Sequence, residues 1–224
     1  MSASHEPESV GDPVAVPHAC TTCGAGLETP LACGDCGTMM TPSTEVSPFS
    51  VIGLDVAYDI DQKELAQRVR KVARLVHPDF FAAAGPTMRA LAEAHGARLN
   101  EAHEVLRDDV RRADWIVRSL GGPSEEQERQ MPQEFLMEVL EWNEVLDEGA
   151  SAPPGSTERL ALTPLEAELA GQRAQALREV TAALTPLPSP GAPALVDVRR
   201  TLNAIRYLDR ALRRLRDLRV GQPS

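Results

Sequence analysis

The sequence predicts a mainly α-helical chain: a helical hairpin unit, then a second helical unit, both preceded by a small cysteine module. Three observations predict this. Ala, Leu, Arg and Glu dominate the 224 residues while aromatics make up 4%, which favours helices over a large β sandwich. Apolar residues recur at helical spacing between recognisable start and stop signals. All four cysteines fall within residues 20–36, where a disulfide framework would usually spread them along a small fold.

In chain order, residues 1–17 are polar and Pro-containing and are expected to be disordered. Residues 18–47 hold the cysteine module and a linker rich in Thr, Ser and Pro. Residues 48–122 read as one helical unit, and 123–224 as a second, entered through "GGPSEEQERQMP" and broken again at "GASAPPGST" and "TPLPSPGAP". Asp61-Gln62-Lys63-Glu64 reads as a capping box, with Ile60 and Leu65 as its staple. From there Leu65, Val69, Val72 and Val76 keep helical spacing. A second helix over about 87–107 carries Met88, Leu91, Leu99, Ala102 and Leu106. The two helices, joined by a loop containing His77-Pro78-Asp79 and Gly85-Pro86, make an antiparallel hairpin. Gly121-Gly122 supplies a left-handed stop. Thr163-Pro164-Leu165-Glu166 reads as a second capping box with proline at the first helical position. A final helix over about 194–219 has a core stripe of Val198, Leu202, Ile205, Leu208, Leu212 and Leu215, with Arg199, Arg200, Arg206, Arg210, Arg213, Arg214 and Arg216 on its other faces.

The chemistry concentrates in three places. Cys20-x-x-Cys23-Gly and Cys33-x-x-Cys36-Gly are two knuckles, each with a glycine that permits the tight turn behind a metal-bound sulfur. Four thiolates at this spacing suit a tetrahedral structural zinc; rubredoxin-like iron or two redox pairs are the alternatives. His18 is near enough to substitute as a ligand, but the cysteines already fill the shell. Zinc ribbons often bind nucleic acid, yet this segment is acidic (Glu6, Glu8, Asp12, Glu28, Asp35, Glu45) and has no Lys or Arg to meet phosphate.

His77-Pro78-Asp79 follows a basic helix bearing Arg68, Arg70, Lys71 and Arg74. It can be read as half of an acid–base pair, as metal ligands, as a turn cap or as a loop recognised by a partner. No nucleophile motif, phosphate loop or further ligand set accompanies it, so catalysis is not expected. His95 and His103 are read as polar positions on the following helix.

The third place is "FLMEVLEWNEVLDE", 135–148. Phe135, Val139, Trp142 and Leu146 form its core stripe. Leu136, Met137 and Leu140 lie on an adjacent face flanked by Glu138, Glu141, Glu144 and Glu148. Such a wide apolar arc implies a second contact or burial between two neighbours.

Net charge is −10, which disfavours bulk attraction to nucleic acid or membranes. No apolar run reaches the roughly 20 residues of a membrane span, and no signal or presequence pattern is present. A cytoplasmic location is expected.

The basic helix, His-Pro-Asp loop and second helix, preceded by "PFSVIGL" at 48–54, resemble a J-domain. "NEAHEVLRDDVRRADWIVRSLGG", "FLMEVLEWNEVLDE" and "IRYLDRAL" are together similar to the HscB/Jac family of J-domain co-chaperones of iron–sulfur cluster biogenesis, some members of which carry a tetracysteine N-terminus. Val76 and Phe80 depart from the Tyr and Lys common in J-domains at those positions. The resemblance implies a J-domain at 48–122 and a three-helix, client-binding domain at 123–224. It implies that His77, Pro78 and Asp79, with Arg68, Arg70, Lys71 and Arg74, contact a DnaK/HscA-class chaperone. It further implies that Leu136, Met137, Leu140, Glu141, Glu144, Glu148 and Tyr207 bind an IscU-type scaffold. The expected function is delivery of that scaffold to the chaperone and stimulation of its ATP hydrolysis, without enzymatic activity of the chain's own. A general co-chaperone for unfolded clients, and a zinc-ribbon adaptor with an incidental His-Pro-Asp, are the alternatives.

Overall fold

The structure is a computed structural model that describes residues 19–41, 46–81 and 83–220, with only the backbone of Val220. The expectations for the 1–17 tail, and for His18, Glu6, Glu8, Asp12 and Glu45, lie outside the described residues. The described residues form eight α-helices and no extended strand, as expected of a mainly α chain. They are α1 (Pro48–Ile52), α2 (Gln62–Leu75), α3 (Pro86–Arg107), α4 (Asp109–Ser119), α5 (Gln133–Ser151), α6 (Thr157–Leu160), α7 (Leu162–Leu184) and α8 (Ala194–Val220).

The chain forms two compact units. One comprises the described residues up to Val56 together with Ile60–Asp108; the other comprises Ala57–Asp59 and Asp109–Ser224. By compactness α4 therefore belongs to the second unit, whereas the sequence reading placed residues up to 122 with the hairpin.

In the first unit α1 packs on both α2 and α3. The Ser47 side chain caps α1 by accepting from the Ser50 amide (3.0 Å), and Phe49, Val51 and Ile52 are buried. Asp61 caps α2, accepting from the Lys63 amide at 2.7 Å. Glu64 does not close the capping box: its carboxylate pairs with Arg68 one turn on, at 2.9 Å. Leu65, Val72 and Val76 are buried as their spacing predicts. On α3 the buried positions are Ala92, His95, Leu99, Ala102 and Leu106. The reading of His95 as a plain polar position is thus corrected. His95 occupies a core position, and its Nε2 meets the Met40 carbonyl at 2.8 Å. Burial lowers its pKa; the hydrogen bond to Met40 opposes this and Arg98 adds to it.

In the second unit α4, α5, α7 and α8 share contacts. Trp142 and Leu146 of α5, Leu162, Leu165 and Leu169 of α7, and Leu208 and Leu215 of α8 make one core cluster. The Gly121 stop forms as expected: Gly121 takes a left-handed φ of 76° and the Gly122 amide donates to the Val117 carbonyl at 2.8 Å. The second capping box does not form. The helix begins two residues before the expected Pro164, at Leu162, directly from α6, so no hydroxyl caps it; Glu166 pairs instead with Arg219.

One arginine on α8 departs from the solvated face expected of it. Arg199 is fully buried. Its Nε donates to the Pro123 carbonyl at 2.9 Å, and its Nη2 lies 2.6 Å from Asp114 Oδ1. That ion pair is close, but it lacks hydrogen-bond alignment. A buried charge is tolerated only when paired, and Asp114, a half-buried residue of α4, supplies the pair.

Candidate functional site

The cysteine module is built from two copies of one turn. The Cys20 amide donates to the Ala25 carbonyl (2.7 Å) and the Gly24 amide returns to the Cys20 carbonyl (2.8 Å). The Cys33 amide donates to the Thr38 carbonyl (2.9 Å) and the Gly37 amide to the Cys33 carbonyl (3.1 Å). Gly24 and Gly37 both have positive φ, 78° and 71°, which a side chain would disfavour. The turns bring the four sulfurs within 4.8 Å of one another. Cys20 and Cys36 sulfurs are 3.6 Å apart, and those of Cys23 and Cys33 are 3.7 Å apart. A tetrahedron of thiolates bonded at about 2.3 Å has edges of about 3.8 Å. The cluster therefore fits a single metal ion.

Their protonation is unequal. The Thr38 hydroxyl and amide pull the Cys36 thiol down to about 6, and the Cys23 and Thr22 amides lower Cys20. Cys23 is pushed up to about 12: the Ala25 amide favours its thiolate, but its Cys36 neighbour and burial outweigh that.

The module is fastened to the rest of its unit. Thr29, almost fully buried, donates its hydroxyl to the Val51 carbonyl of α1 (2.7 Å) and accepts from the Leu31 amide (3.3 Å). The Met40 amide bonds to the Leu31 carbonyl at 2.9 Å, and the Met40 carbonyl meets His95.

His77, Pro78 and Asp79 lie where α2 ends. Pro78–Phe81 forms one 3₁₀ turn, closed by the Phe80 amide on the His77 carbonyl at 3.1 Å. The His77 ring caps its own turn, accepting from the Asp79 amide at 3.3 Å. The Asp79 carboxylate is 88% exposed and lies 3.6 Å from His77 Nδ1. Phe80 is 72% exposed, with its ring edge-on to His77 at 5.9 Å between centroids.

The four α2 cations are not equivalent. Arg68 is held by Glu64 and by the Gly53 carbonyl. Lys71 pairs with Glu28 of the cysteine module, whose carboxyl Lys71 holds below the usual carboxylate range. Arg70 and Arg74 have no acidic partner among the described residues; Arg74 Nε donates only to the Arg70 carbonyl, at 3.3 Å.

On α5 the structure separates the two faces that spacing distinguished. Trp142 and Leu146 are buried and Phe135 and Val139 half-buried. Leu136, Met137 and Leu140 are 40%, 53% and 59% exposed, so burial between two neighbours is excluded. Glu141, Glu144 and Glu148 are exposed and form no ion pair among the described residues. Tyr207 of α8 stands beside this helix. Its ring meets Phe135 edge-on at 5.8 Å, and Arg210 lies over it at 5.8 Å.

Sequence reasoning missed Glu28 as the partner of Lys71, and it missed His95. The second was findable, since His95 falls one helical step from both Leu91 and Leu99. The first carried no local signal, because the pair spans 43 residues.

A cysteine module, a helical hairpin whose connecting loop exposes His-Pro-Asp and an α-helical C-terminal unit together define a J-domain co-chaperone architecture, and known proteins agree. Residues 131–216 match the HSCB C-terminal oligomerisation domain. The co-chaperone protein HscB homolog of Bordetella petrii is 37% identical over 137 residues, covering 61% of this chain and 76% of the relative. The human iron-sulfur cluster co-chaperone protein HscB is 29% identical over 137 residues, covering 59% of this chain and 58% of the relative. The crystal structure of human HscB aligns with a TM-score of 0.73 at 22% identity, over 91% of this chain and all of that one. HscB from Vibrio cholerae aligns at 0.65 and 19% identity, over 78% of this chain and 98% of that one. The chain belongs to the HscB/Jac family of J-domain co-chaperones. Among the described residues no helix is long and apolar enough to cross a membrane.

Proposed function

We propose that the chain binds an IscU-type iron–sulfur scaffold protein and delivers it to a DnaK/HscA-class chaperone, whose ATP hydrolysis it stimulates. The observation that carries this reading is that one chain presents two unsatisfied surfaces of opposite chemistry. One is the exposed His77-Pro78-Asp79 loop beside Arg70 and Arg74. The other is the exposed Leu136, Met137 and Leu140 with Glu141, Glu144 and Glu148, which form no ion pair among the described residues.

Residues 48–122 act as the J-domain and 123–224 as the client-binding domain. Joining client and chaperone through one chain raises the client's effective concentration at the chaperone. The chain contributes docking and orientation in the cytoplasm and no bond-making chemistry of its own.

The test is the ATPase rate of a DnaK-class chaperone with the chain alone, with scaffold alone and with both. Stimulation greater with both than the sum of each is expected. Absence of stimulation by the chain would sink the chaperone half of the reading, and stimulation indifferent to the scaffold would sink the client half.

Cys20, Cys23, Cys33 and Cys36 hold zinc, which when bound crosslinks the two knuckles and supplies no catalysis. The sulfur spacing supports this. The purified chain is expected to carry about one zinc per molecule. Cys33→Ser, at a fully buried position, is expected to lose the metal and lower Tm. Metal analysis in reducing buffer that finds no zinc would exclude it, and iron in its place would indicate a rubredoxin-like centre.

A further inference from the structure

The cysteine module sits on the helix that the co-chaperone reading gives to the chaperone. Thr29 is locked to α1 by its bond to the Val51 carbonyl, and this places its neighbour Glu28 against Lys71 of α2. A cleft of about 240 Å³ lies between module and helix, lined by Glu28, Asp35, Arg68, Lys71 and Leu75 among others. Both partners of the Glu28–Lys71 pair remain more than half exposed, at 65% and 55%. The module thus delivers a carboxylate to one cation of the proposed docking face, while Arg70 and Arg74 have no acidic partner among the described residues.

We infer that the tetracysteine module is an internal counter-ligand of the docking face: Glu28 occupies Lys71 and gives way when an acidic partner surface docks on α2. The inference deepens the chaperone reading and rests on it. An exposed pair contributes little to folding, so it can open without disturbing its unit. Yet Glu28 is tethered beside Lys71 at high effective concentration. An incoming carboxylate must therefore outcompete it, and only a surface that also satisfies Arg70, Arg74 and the His-Pro-Asp loop gains enough to do so. The module would then act as a charge filter on which chaperone docks, a role separate from any stabilisation by its metal. If the pair were instead only a tether, removing Glu28 would loosen the module and leave docking unchanged.

The experiment compares full-length, metal-loaded wild type, Glu28→Gln, Lys71→Gln and the double variant in low-salt buffer. It reads the concentration giving half-maximal stimulation of a DnaK-class ATPase, together with Tm. Glu28→Gln is expected to lower that concentration about two- to fivefold, the range an exposed pair spans. Lys71→Gln is expected to raise it, and Glu28→Gln to have no effect in the Lys71→Gln background. An unchanged or raised value for Glu28→Gln overturns the inference, most plainly if Tm falls, as a tether predicts. Wild type that stimulates nothing fails the chaperone reading first, before any variant is compared, and takes this inference with it.

Discussion

His77→Gln is expected to reduce stimulation of the chaperone's ATP hydrolysis about thirtyfold or more while leaving the protein folded. Both parts follow from the ring's position. The His77 side chain is 53% exposed, and its contacts are its own loop: the Asp79 amide, the Asp79 carboxylate and the edge of Phe80. None of these holds a core, so a surface change of this kind shifts stability by about 0.5 kcal/mol or less. At an interface the same ring is placed to be a central anchor. Pro78 restricts the backbone behind it, Asp79 offers a carboxylate beside it, and Arg70 and Arg74, without acidic partners among the described residues, would supply rim charges to orient an acidic partner. Truncating an anchor of this type costs about 2 kcal/mol or more, or roughly thirtyfold. The decisive measurement is ATPase stimulation against co-chaperone concentration, with Tm and scaffold binding measured on the same preparation. Undiminished stimulation by the variant would make the His-Pro-Asp incidental and return the adaptor reading.

Residue by residue, the legible parts of this molecule are those with a local cause. The α2 stripe of Leu65, Val72 and Val76, the Asp61 cap, the Gly121 stop and the cysteine knuckles each depend on neighbours within a few positions, and each forms. The separation of Leu136, Met137 and Leu140 from Trp142 and Leu146 was legible for the same reason, since helix phase alone distinguishes the two faces. What failed depended on distant partners. Arg199 reads as one of many surface arginines until Asp114 and the Pro123 carbonyl, 85 and 76 positions away, enclose it. His95 reads as polar until Met40 supplies the acceptor that lets it be buried. Glu64 is the exception, since the partner that takes its carboxylate, Arg68, lies only one turn on. The division of the α2 cations is of this kind too: the count of charges on α2 was legible, and which of them Glu28 occupies was not.

Replacing Leu136, Met137 and Leu140 together by alanine is expected to weaken scaffold binding roughly thirtyfold to a thousandfold and to leave Tm almost unchanged. Complete burial of one such side chain contributes about 1.5–3 kcal/mol. These three are about half exposed in the free chain, so docking can remove from water about half of that for each. The sum is about 2–4 kcal/mol, the span of the expected change in Kd. Folding does not draw on the same surface, because the core face of α5 is Phe135, Val139, Trp142 and Leu146, and alanine is the better helix former at exposed positions. The acidic residues behave differently. Glu141, Glu144 and Glu148 are exposed and form no ion pair among the described residues, so their substitution is expected to change association rate and salt dependence more than residence time. Calorimetric titration of an IscU-type scaffold into wild type and triple variant separates the outcomes. Equal affinities would move the client surface off α5, and a wild type that binds no scaffold would leave a J-domain protein whose client lies elsewhere. Binding lost in the variant at unchanged Tm would assign this face to the client, with Tyr207 as the next position to test because its ring already leans on Phe135 beside it.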